Sequence, residues 1–260
     1  MRRGTTWRFR TTACLLALAA GAACSPAAVL SPHAQSTIKS GPSLPSSRLF
    51  CRLGPAADAR PGDGGGACGV TLGLALASLN CGGLVALPSS FVSEVDNIEG
   101  GASRSLPVRF AGGACTIGTS TARTVARIRP TLVMPTDVVA IADFTSDLLP
   151  PAVINVNVRC TAECVGASVE LSGSTVSEAV ASGTHALFRM QHIRPLPKVA
   201  NRLVVSISGT AIRFWLNGIG FGPFHTAVAA PGYVGFNVAN RDGSVPAEAA
   251  LVRLQVFAPA

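Results

Sequence analysis

The chain has 260 residues, 48% hydrophobic and 13% charged. It can therefore bury a full core and is not disordered as a whole, and one large β domain fits the length as well as two small ones. Its formal charge of +8 comes from 21 basic and 13 acidic residues, but Arg2, Arg3, Arg8 and Arg10 sit together at the start, and without them 17 basic residues face 13 acidic ones, a formal +4. The other arginines are dispersed, with no basic stripe interleaved with aromatics, which argues against a nucleic-acid partner.

The four leading arginines precede an apolar run over residues 13–23 that is too short to span a bilayer, and Ala20-Gly21-Ala22 offers a small-residue cleavage site. Residues 1–23 read as a signal peptide, which predicts a secreted or extracytoplasmic protein. Cys24 offers an alternative, a lipidated first residue, although Gly21 stands where such signals carry an aliphatic side chain. No later run reaches transmembrane length without a charge or turn signal. Residues 24–50, rich in Ser, Pro and Ala, read as a flexible lead-in, and residues 51–260 as a single β-sandwich domain.

Beyond the leader stand Cys51, Cys68, Cys81, Cys115, Cys160 and Cys164. An even set suits disulfides in an oxidising compartment, and the pairing stays open. His33, His185, His192 and His225 are isolated, so no zinc-type spacing is present, and the sequence implies neither a metal nor a cofactor. The glycine run at residues 62–66 lacks the Gly-Lys-Ser/Thr ending of a phosphate cradle and reads as a surface loop. Residues 70–79 and 83–87 are apolar and fit buried strands or one short helix, since periodicity alone does not separate them.

Acidic residues are scarce, yet Glu94, Asp96 and Glu99 fall within six positions. On a strand Glu94 and Asp96 share a face, and a β-bulge would bring Glu99 to the same side. The alternative is a polar turn or exposed strand ended by Gly100-Gly101. Strand signals then recur at residues 107–110, 121–128, 137–144, 152–159, 167–171 and 186–190, with Gly and Pro between them and no long amphipathic period. In residues 201–218, NRLVVSISGTAIRFWLNG, Leu203, Val205 and Ile207 alternate with Val204, Ser206 and Ser208. Ser208-Gly209-Thr210 supplies a turn and Asn217-Gly218 a tight hairpin. Strands at 233–239 and 250–257 are expected to complete a meander. Trp215 faces opposite to its neighbours Phe214 and Leu216, so one of those faces lines the core and the other is open to ligand.

The order of "IRFWLNG", "GYVGFNV" and "LVRLQVF" resembles the closing strands of concanavalin A-like jelly rolls, a group that includes laminin-G-like modules, legume-type lectins and family-16 glycoside hydrolases. The resemblance covers residues 200–258 and implies an all-β, two-sheet antiparallel jelly-roll sandwich. It also implies recognition of a glycan or extracellular protein, with Trp215, Asn217 and Tyr233 as candidate ligand contacts. E-x-D-x-x-E is similar to the catalytic pattern of the family-16 enzymes. That likeness implies a retaining glycoside hydrolase as the alternative, with Glu94 as nucleophile, Glu99 as acid/base and Asp96 tuning their protonation. A structural exterior protein without ligand is the third reading.

Overall fold

Runs of β-branched residues become strands wherever their alternate positions find an apolar layer to face. The computed structural model describes residues 48–50, 67–97, 103–146, 152–161, 167–172, 175–181, 185–191, 195–226, 230–241, 243 and 245–260. Strands β1 to β9 are Arg48–Phe50, Ala67–Asn80, Phe91–Asn97, Arg104–Ser105, Arg109–Ala111, Ala114–Thr119, Thr124–Pro130, Val138–Ser146 and Ala152–Cys160. Strands β10 to β17 are Ala167–Ser172, Thr175–Ala181, His185–Gln191, Asn201–Ser208, Ala211–Leu216, Ile219–His225, Tyr233–Asn240 and Ala247–Pro259. No helix occurs among the described residues.

One sheet runs β1-β2-β17-β8-β13-β14-β15, with β6 also on β17 and β5 outside β6; the other runs β12-β11-β10-β9-β16-β7-β3-β4. Every pairing is antiparallel. The two layers meet through apolar faces, giving the jelly-roll sandwich that the sequence led us to expect. From the first layer come Val138, Ala140, Ala142 and Phe144 of β8, Leu203, Val205 and Ile207 of β13, and Leu251, Leu254 and Val256 of β17. Facing them are Ala126 and Ile128 of β7, Ile154, Val156 and Val158 of β9, and Val234, Phe236 and Val238 of β16. Phe144 and Phe236 join the layers with ring centroids 5.5 Å apart. Each fully buried side chain of this size contributes roughly 1.5–3 kcal/mol.

The C-terminal third departs from a simple meander. β13, β14 and β15 are consecutive hairpins in one sheet, but β16 crosses to the other and β17 crosses back between β2 and β8. A sandwich closes only when strands alternate between layers, and period-2 patterning does not say which layer a strand joins. β15, IGFGPFH, is a strand that the sequence reading passed over because Gly220, Gly222 and Pro223 interrupt its pattern; as the last strand of its sheet it tolerates a proline. Residues 70–79 lie in β2, whereas 83–87 form turns rather than a strand. β1, at residues 48–50, pairs with β2, so the sheet begins within the stretch assigned to the lead-in. Asn217 and Gly218 take φ of 52° and 91°, as the hairpin between β14 and β15 requires.

Cys81 and Cys115 form a disulfide with Cα atoms 5.4 Å apart. Cys160 is buried at the end of β9. Cys51 and Cys164 lie outside the described residues, and Cys68 falls within β2.

Candidate functional site

Strands β3, β7, β9, β10 and β16 of the eight-stranded sheet largely alternate core-facing apolar residues with polar ones, so their face turned away from the core is polar. Register lines these residues up. Glu94 of β3 is opposite Arg127 of β7, Arg127 opposite Asn237 of β16, Asn237 opposite Asn155 of β9, and Asn155 opposite Glu170 of β10. The same row continues to Ser105 of β4 at one end, so one polar residue per strand runs from β4 to β10. Beside it Ser168 is opposite Asn157, and Asn157 opposite Gly235.

Glu94 and Asp96 share this face, as two-residue spacing on a strand demands. Both are tied to arginines. Arg129 Nη2 donates to Glu94 Oε1 at 2.6 Å, and Arg127 pairs with Asp96 and lies 3.9 Å from Glu94 Oε2. The Ser103 hydroxyl donates to Asp96 and lies 3.2 Å from Glu94 Oε2. The Arg129 guanidinium also stacks over the Tyr233 ring, 4.2 Å from its centroid, a cation–π contact. Both Glu94 oxygens thus accept hydrogen bonds, Oε1 from Arg129 and Oε2 from Ser103, and the two carboxylates orient the guanidinium groups across the sheet. Glu99, the third member of the acidic pattern, lies outside the described residues.

At the centre of the row, hydrogen bonding is incomplete. Arg127, 2% exposed, leaves Nε without a hydrogen bond and has Nη1 only in a 3.9 Å ion pair with Glu94, and Asn237, 1% exposed, donates to Asn155 Oδ1 at 2.7 Å while its own Oδ1 accepts nothing. Each such buried, unpaired group costs about 1–3 kcal/mol, so native structures keep few of them. The missing side chain of Gly235 leaves room beside this acceptor: a Cβ there would stand 3.2 Å from Asn237 Oδ1 and 3.5 Å from Arg129 Cβ. A donor and an acceptor that make no hydrogen bond, on residues opposite each other in the ladder, match a hydroxyl group, which accepts one hydrogen bond and donates another.

The expected trio of Trp215, Asn217 and Tyr233 is not brought together. Tyr233 lies on the polar face. Trp215 is on the other sheet, half-buried against Val139, Ile141 and Val204, where it lies across Gly220. Asn217 belongs to its turn: its Oδ1 accepts from the Arg202 amide at 2.8 Å and its Nδ2 donates to Asn201 Oδ1 at 2.8 Å. The residues that do converge, Arg127, Arg129, Asn155, Asn157 and Asn237, carried a signal in the alternation of "INVNVR", "ARIR" and "FNV". Asparagine is depleted in strands, so Asn155 and Asn157 two residues apart, with Asn237 opposite Asn155, mark a face with another task. No group of three or more His, Cys, Asp or Glu suited to a metal occurs among the described residues.

No protein-family model matches the chain, and no curated relative matches it in sequence. Solved structures do resemble it. A Bacillus subtilis protein of unknown function with a galectin-like fold superposes with a TM-score of 0.54 at 12% identity, covering 74% of this chain and 99% of that one. Bacillus licheniformis β-glucanase gives 0.53 at 11% identity over 66% of this chain and 94% of that one. The fold is the concanavalin A-like jelly roll. The exoplasmic/lumenal domain of VIP36, in its Ca2+/Man-bound form, adds a third jelly roll, with a TM-score of 0.51 and 10% identity over 70% of this chain and 89% of that one. At such identities the likeness concerns the fold alone, and activity must be argued from the site.

Proposed function

We propose that the chain is an exported glycan-recognition module that takes up its ligand on the polar face of the eight-stranded sheet. The observation that carries this reading is the pairing of Arg127 with Asn237 in the ladder, with Arg127 Nε and Asn237 Oδ1 buried and without hydrogen bonds and Asn237 Oδ1 beside the gap at Gly235. A sugar presents hydroxyls that donate and accept at once, and the flanking Asn157, Arg129 and Tyr233 extend the same chemistry with amide, guanidinium and ring. Similar jelly rolls include a lumenal domain in a Man-bound form and a β-glucanase, which favours a carbohydrate over other polyols. The arginine-led N-terminal run and the Cys81–Cys115 disulfide support export.

The test is binding of the purified chain to a broad panel of immobilised glycans, with reducing-end release measured in parallel. At least one glycan class is expected to bind without release. Gly235→Ala, which places a methyl group in the gap, and Asn237→Leu are each expected to weaken that binding at least about fivefold, the worth of roughly one hydrogen bond. Trp215→Ala, on the opposite sheet, is expected to leave it unchanged. Polysaccharide cleavage abolished by Glu94→Gln would replace this reading with the hydrolase, and absence of both binding and cleavage would favour a structural role.

A further inference from the structure

A separate cleft of about 570 Å3 opens at the edge of the sandwich, where β3 and β4 end the eight-stranded sheet. Apolar side chains form one wall, and Glu94, Ser103, Arg104 and Ser105 form a polar rim. Phe91 on β3, Leu106, Val108 and Phe110 on the following segment, and Leu87 on the preceding loop pack against the core while still lining the opening. Val85, at the mouth, is 91% exposed, so the cleft is reached directly from solvent. Ser93, on the core-facing side of β3, also lines it. The residue is 8% exposed and its hydroxyl has no hydrogen-bond partner, although its backbone oxygen accepts from the Leu106 amide at 3.1 Å.

We infer that this cleft binds a small, flat, apolar molecule bearing a single hydroxyl or carbonyl group, which pairs with the Ser93 hydroxyl. The volume lies in the range of small-molecule sites, where apolar walls supply most of the affinity and one or two polar groups set orientation. Exposed Leu and Val side chains scattered singly need no explanation, but apolar side chains converging on one opening around an unpaired hydroxyl do. Ser93 provides both a donor and an acceptor, so a hydroxylated or carbonyl-bearing ring is preferred over the bare hydrocarbon. The cleft adjoins the glycan face and shares Glu94 and Ser103 with it, but the central pair of that face, Arg127 and Asn237, is absent from the lining.

Titration of the full chain with 2-naphthol and with naphthalene, followed by ligand fluorescence, tests the assignment. Both are expected to bind saturably at one site, 2-naphthol the more tightly. Ser93→Ala is expected to weaken 2-naphthol by about two- to tenfold, the range for one hydrogen bond, and to leave naphthalene within about twofold. Leu106→Trp, filling the cleft, is expected to abolish both. Should Leu106→Trp not fold, Val85→Glu, at an exposed position, places a charge at the mouth and is expected to weaken both ligands. Lack of saturable binding, equal effects of Ser93→Ala on the two ligands, or indifference to the folded cleft variant would each overturn the inference.

Discussion

The Cys81–Cys115 disulfide closes a loop with a sequence separation of 34 residues, and that loop carries β3, β4, β5, Glu94 and Asp96 of the polar face and every residue lining the edge cleft. Both anchors run along β17, the Cys81 amide donating to Val252 O at 2.9 Å and Cys115 pairing with Leu251. In the chain-entropy model a cross-link over this separation removes about 12.6 cal/mol/K from the unfolded state, or about 3.8 kcal/mol at room temperature. The double variant Cys81→Ala/Cys115→Ala is therefore expected to lose roughly 3–4 kcal/mol in urea unfolding followed by circular dichroism. For a domain of this size that corresponds to a fall of roughly 8–15 °C in Tm. Loss of protection in hydrogen exchange should be larger over residues 82–114 than over β8, whose Val138, Ala140 and Phe144 are fully buried. A variant within about 1 kcal/mol of the native protein, or one that loosens both regions equally, would refute the claim that this bridge holds the edge of the sandwich.

Three further substitutions probe the framework. Asp143, 3% exposed, accepts from Arg202 Nε at 2.6 Å and Nη2 at 2.8 Å and from Arg253 Nε at 2.9 Å, so Asp143→Asn leaves two guanidinium groups facing each other. With Arg253 partly open to solvent, the expected loss is roughly 2–4 kcal/mol by urea unfolding. Gly232→Ala would bring a Cβ within 2.4 Å of the Arg159 carbonyl carbon, beside the bridge to Met134, and should cost about 1–3 kcal/mol in the same assay. Tyr233→Leu removes the ring beneath Arg129 and should lower stability by about 0.5–1 kcal/mol while weakening any glycan bound to the polar face.

Much of the strand content was legible because it depends on local alternation. Leu203, Val205 and Ile207 point into the core, and Asn217-Gly218 makes the turn, as their types require. The pairing of Glu94 with Asp96 on one face was legible for the same reason, since it needs only the period of a strand. Their partners were not. Arg127 and Arg129 read as two among many scattered arginines until β7 was seen to pair with β3. Trp215 was a candidate ligand contact from its strand parity and the jelly-roll resemblance, yet its strand lies in the other sheet, where its ring packs over Gly220.

Side-chain type and period-2 order within the chain determined that this protein would form strands, where the chain would turn and which residues of each strand would avoid water, because those preferences act between near neighbours. Tertiary structure alone decided which strands share a sheet and in what register. Adjacent strands lie about 4.8 Å apart, so residues remote in sequence such as Glu94, Arg127, Asn155 and Asn237 become immediate neighbours only once the ladders form. A shift of one residue in any ladder would turn those side chains into the core, and burial of unpaired charge is what holds the register in place.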